Sequence, residues 1–117
     1  MRAVANFLIG VIALEHLGFL VLEMFFWRRP LGLRVFGLTQ AAADASATLA
    51  ANQGLYNGFL AAGLAWGLRG GTGTVKGFFL LCVFAAGVFG AATVHWRVFF
   101  VQAAPAALAL LLLLLSR

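Results

Sequence analysis

The sequence predicts an all-α fold, an integral membrane bundle of four transmembrane helices, on three observations. The 117 residues are 64% hydrophobic and 9% charged with a mean hydropathy of +1.05, whereas soluble domains carry roughly 25% charge. Too few charged side chains remain to cover a water-facing globule. Second, stretches 45–68, 77–96 and 98–116 contain no Asp, Glu, Lys or Arg, and about 20 apolar residues cross the ~30 Å hydrocarbon core as a helix. Third, no segment alternates with the period of a strand. One membrane domain, 1–117, follows, with helices at about 3–27, 45–68, 77–96 and 98–116 and an amphipathic connection over 28–47.

The first helix, 3–27, is long enough to span but contains Glu15, His16 and Glu23. A cleaved signal has an apolar core of about 7–15 residues. This segment is longer and carries acids, so it is expected to stay in the mature protein. Pro30 is expected to stop that helix, with Arg28, Arg29 and Arg34 set at phosphate level and Trp27 behind them as an interfacial anchor. Thr39 suits an N-cap and Asp44 a helix start. Two readings of the segment from Thr39 through Asp44 stay open: a short amphipathic helix along the headgroups, or an extension of the second helix beyond the membrane.

The second helix carries a polar stripe, Asn52, Gln53, Tyr56 and Asn57, and Gly-x-x-x-Gly pairs at Gly54/Gly58 and Gly63/Gly67. With Ala86, Gly87, Gly90 and Ala91 in the third helix, these predict close approach of helices two and three. Cys82 has no partner for a disulfide and reads as packing. In the fourth helix Pro105 is expected to bend the chain and free a backbone carbonyl.

The +5 net charge does not point to nucleic acid, because the basic residues are scattered at span ends without a basic face, and anionic lipid headgroups account for them. With four spans, one side holds Arg2, Arg69, Lys76 and Arg117 and the other Arg28, Arg29, Arg34 and Arg97. The positive-inside rule gives no orientation for such a tie.

Polar side chains inside apolar spans carry the functional information, since an unpaired charge or amide in hydrocarbon costs several kcal/mol. His16 and Glu23 are seven residues apart, about 700° of helix, and share a face that Glu15 flanks. Counting inward from the boundary near Trp27 and Arg97 sets Glu23, Asn52, Gln53, Thr93 and Gln102 at one depth, with Tyr56, Asn57, His16 and Glu15 deeper. A funnel-shaped polar chamber is expected. Its acid-base residues are Glu15, His16 and Glu23; its ligand-binding residues are Asn52, Gln53, Tyr56, Asn57, Thr93 and Gln102. His95 reads as an interfacial histidine. No His-x3-His or carboxylate-histidine helix motif predicts a metal, and no Gly-rich loop or Cys pair predicts a cofactor.

Leu14-Glu15-His16, Leu22-Glu23-Met24-Phe25, Phe36-Gly37-Leu38-Thr39, the block from Ala51 through Asn52-Gln53-Gly54-Leu55-Tyr56-Asn57 to Gly58, Gly90-Ala91-Ala92-Thr93 and Gln102-x-x-Pro105 carry a resemblance. Over nearly the whole chain they resemble the small bacterial integral membrane proteins of domain-of-unknown-function family thirteen-zero-four. The resemblance implies a four-helix, multi-pass protein of the bacterial inner membrane and leaves its activity open. His95 and Trp96 lie outside that pattern. Length, span number and a first-helix glutamate are also similar to the small multidrug resistance exporters, whereas His16, Glu23 and the Asn-Gln-Gly block depart from them.

The leading functional expectation is an intramembrane polar pocket that binds a small lipophilic or cationic molecule, with proton-coupled transport through Glu15 as its extension. The alternatives are a membrane-embedded acid-base enzyme of isomerase or hydrolase type on a lipid-soluble substrate, and a non-catalytic scaffold bundle. Expected partners are the bilayer and a lipophilic small molecule or lipid, not nucleic acid; a homo-oligomer stays open.

Overall fold

The computed structural model describes residues 1–117, all helical elements and connections without a strand. In chain order these are α1 (Arg2–Phe25), α2 (Pro30–Phe36), α3 (Gln40–Gly70), α4 (Gly73–Thr93), a π-helical turn (Phe99–Ala103) and α5 (Ala104–Leu115). By packing they form two compact units, residues 1–14 with 60–117, and residues 15–59. The division falls within α1 and α3.

In the first unit, one face of each helical segment supplies the core: Ile9 and Ile12 from α1, Leu64 from α3, Leu80 and Val83 from α4, and Ala106, Ala109 and Leu113 from α5. The spacings of three and four place each set on a single stripe. Small residues set how closely these stripes approach. A Cβ on Gly63 would strike the ring of Phe79, and one on Gly87 would lie 2.5 Å from the Ala103 backbone nitrogen. Gly63 and Gly67 therefore seat α4 against α3, as expected, but Gly87 and Gly90 face Ala103 and Val98 instead of α3. Gly71, at φ 68°, takes the left-handed conformation that ends α3 and turns the chain into α4.

The third and fourth helices differ from expectation at their ends. α4 stops at Thr93, so His95 and Trp96 fall in a turn, where the Arg97 backbone N–H donates to His95 Nδ1 at 3.1 Å and the two rings stack at 5.6 Å. The fourth helix opens with a π turn in which the Ala104 N–H donates to the Phe99 carbonyl, five residues back. Pro105 has no N–H for the carbonyl four residues earlier, and the wider turn lies immediately before it. The predicted distortion at Pro105 thus takes the form of a register change.

The second unit packs the end of α1, α2 and the start of α3. α1 ends at Phe25, earlier than expected, and Pro30 does not stop it; Pro30 opens α2, where its missing N–H is no loss. The segment from Thr39 through Asp44 extends the second helix back to Gln40 and is not a separate helix; the short helix α2 lies before it, at Pro30–Phe36. Thr39 caps α3, its Oγ1 accepting from the Ala42 N–H at 3.1 Å. Gly37, at φ 64°, ends α2, with its own N–H and that of Leu38 donating to Leu33 O. The turn is pinned onto α3: Trp27 Nε1 donates to Ser46 Oγ at 3.1 Å, and Gln40 Nε2 donates to Arg28 O and to Asp44 Oδ1.

Two helices, α1 and α4, are long and apolar enough to cross a membrane. α3 is longer than either, but its polar stripe dilutes it, and the apolar segment Phe99–Leu115 is shorter. Only 22% of the most apolar window of α1, and of α4, is buried. Phe7, Leu14, Phe78, Leu81 and Phe89 stand exposed on them.

Candidate functional site

The site grows from the approach of α1 and α3 within residues 15–59. Cβ atoms on Gly54 and Gly58 would meet Met24 Cγ at 2.7 Å and Leu20 Cδ1 at 2.5 Å. This Gly-x-x-x-Gly pair therefore packs on α1, not on α4, because the stripe 54/58 looks toward Leu20, Glu23 and Met24. With no side chains between the backbones, Asn57 reaches Glu23. Its Nδ2 donates to Glu23 Oε1 at 2.5 Å, and both residues are 8% exposed.

Glu23 also lines a cleft of about 840 Å³. Asp44, Arg28, Arg29, Thr48 and Asn52 supply its other polar groups, and Met24, Phe25, Trp27, Pro30, Ala47 and Ala51 its apolar surface. Arg28 and Arg29 are exposed, whereas Glu23 is buried. The acidic group deep in the cleft therefore acts in a low dielectric, and the two guanidiniums act through screening solvent.

His16 is fully buried, edge-on to Phe19 with ring centroids 5.5 Å apart. Its Nδ1 lies 3.9 Å from Glu15 Oε1, beyond hydrogen-bond distance, and that oxygen is buried without a hydrogen bond. Among the α3 candidates, Asn57 meets Glu23 and Asn52 lines the same cleft, its Nδ2 donating to Thr48 O at 3.1 Å. Gln53 is exposed, and Tyr56 is 61% exposed with its ring against Phe59. One helical turn separates Gln53 from Asn57, and only the latter reaches the acid.

Thr93 and Gln102 belong to the other unit. The Thr93 hydroxyl is exposed and donates to Phe89 O at 2.7 Å within its own helix; Gln102 is half-buried in the π turn. The cleft residues Arg28, Arg29, Asp44 and Thr48 were not among the sequence candidates. Their signal was the mixed charge of the connection, with Gln40 four residues before Asp44, which periodicity assigns to headgroup contact. No three His, Cys, Asp or Glu side chains converge.

A family model described as protein of unknown function (DUF1304) matches residues 10–114. Neither the curated proteins nor the solved structures give a match. The matched range takes in the Glu15-His16 pair, Glu23, the Asn-Gln-Gly block and Pro105, the residues on which the resemblance rested. The chain belongs to the DUF1304 family of proteins of unknown function.

Proposed function

We propose that the protein is a multi-pass membrane protein of four spans, α1, α3, α4 and the helix from Phe99 to Leu115, in the bacterial inner membrane, and that it binds a small lipophilic molecule bearing a cationic or hydrogen-bond-donating head. Support for the membrane part is α1 and α4, of whose most apolar windows only 22% is buried within the fold. A soluble protein rarely exposes contiguous apolar area on this scale. The expected outcome of washing membranes with alkaline carbonate is that the protein stays in the pellet; release to the supernatant removes this part.

The observation that carries the binding part is Glu23, buried, held by Asn57 and lining a cleft whose walls are partly polar and partly apolar. Such a carboxylate rewards a ligand that brings its own donor or positive charge, and Trp27, Met24 and Phe25 accommodate an apolar tail. Glu23 takes the role that the sequence assigned to Glu15, since Glu15 does not line the cleft. In nanodiscs, a fluorescent long-chain primary amine should show saturable binding above empty discs. Glu23→Gln, which keeps an acceptor for Asn57, should weaken it about tenfold, one charge-assisted bond's worth, and Glu15→Gln should leave it near wild type. No saturable component, or equal affinity in Glu23→Gln, sinks the proposal.

A further inference from the structure

Lys76, in the first turn of α4, is 4% exposed although its long stem suits it to reach solvent. It is turned inward, its Nζ donating to Asn6 Oδ1 of α1 at 2.9 Å. Gly67 of α3 makes the room, since a Cβ there would stand 2.8 Å from Lys76 Cγ. The residue lines a cleft of about 530 Å³ with Arg2, Asn6, Gly73, Thr74 and Arg117 among its walls. Arg2 donates to Ser116 O at 3.2 Å, and an Arg117 guanidinium nitrogen lies 3.9 Å from where a Gly73 Cβ would be.

Three cations thus line one cleft, and no Asp or Glu side chain belongs to this unit, because Glu15, Glu23 and Asp44 all fall within residues 15–59. Asn6 is neutral. Burying an ammonium costs several kcal/mol unless a counter-charge meets it, and two guanidiniums nearby add repulsion. At the same cleft α4 begins, and Thr72 provides no side-chain cap, so the positive end of the helix adds to the field. An anion with several oxygens matches such a set: guanidiniums grip two oxygens side by side and the ammonium acts as a point charge.

We propose that Lys76, Arg2 and Arg117 form a binding site for a phosphate group, independent of the Glu23 cleft. The phosphate belongs either to an anionic lipid headgroup or to a free phosphate.

The test uses the full chain in nanodiscs and follows thermal unfolding. Discs of phosphatidylcholine with phosphatidylglycerol should raise the midpoint by about 5 °C over phosphatidylcholine alone if the source is lipid. Inorganic phosphate, against chloride of equal ionic strength, should do so in phosphatidylcholine discs if it is free. Lys76→Gln should abolish the shift. Should that variant fold poorly, Arg2→Gln/Arg117→Gln, at two outer positions, should reduce the shift by more than half, whereas Arg34→Gln/Arg97→Gln, which removes the same charge elsewhere, should keep it. No shift with either anion, or an equal loss in both double variants, overturns the proposal.

Discussion

Gly87→Ala is expected to destabilise the protein by about 2 kcal/mol, although alanine is the better helix former. The gain in propensity is about 1 kcal/mol. Against it stands a methyl group placed 2.5 Å from the Ala103 nitrogen and 2.9 Å from its Cα. Those atoms are backbone and have no rotamer to move to, so α4 and the π turn must separate, and forcing extra volume into a packed contact costs about 3 kcal/mol. Gly77→Ala is the matched comparison, since a Cβ there meets nothing within 4 Å; it should be neutral or stabilising. Circular dichroism melts in detergent check both. A Gly87→Ala protein as stable as Gly77→Ala shows that the contact with Ala103 is looser than described.

Asn57→Leu should cost more, about 3 kcal/mol, because it leaves the carboxylate of Glu23 buried and without its donor. Glu23→Gln retains an acceptor and should lose under about 1 kcal/mol. The double replacement Glu23→Leu/Asn57→Leu should recover much of the loss, since two apolar side chains satisfy each other where a lone charge does not. Denaturant titration of Asn57→Leu, Glu23→Leu and the double replacement gives the coupling. If the losses from Asn57→Leu and Glu23→Leu simply add, the pair is not the unit described. Stability and binding are separable here: the Glu23 proposal requires lost amine binding in Glu23→Gln with the fold intact, whereas a bundle held by polar glue loses stability without a ligand effect.

If the surroundings are lipid, the packing follows from the solvent. Lipid tails are as apolar as Leu, so burying Ile9 or Leu64 gains little by leaving water; close contact between small residues and a few hydrogen bonds does the work. Close contacts of this kind are seen at Gly54 and Gly58, at Gly63 and Gly67, and at Gly87.

Much of this was legible in the residues alone. Helix class, the positions of α1 and α4, the Thr39 cap, the disturbance around Pro105 and the family all follow from local chemistry: apolar length, a hydroxyl before a helix, a missing N–H, a block of motifs. The same reading placed Glu23 and Asn57 among the polar groups that need partners. Tertiary structure alone decided which partner each received. Gln53 and Asn57 differ by about 40° around the helix, so periodicity cannot choose between them; one turn of axial offset, set by how Gly54 and Gly58 seat on Leu20 and Met24, brings Asn57 to the acid. Likewise a lysine at a span end reads as solvent-facing, and only the space left by Gly67 and the acceptor on Asn6 turn Lys76 inward. Periodicity determines which residues share a face, whereas the rotation and depth of that face against its neighbour depend on contacts distant in sequence.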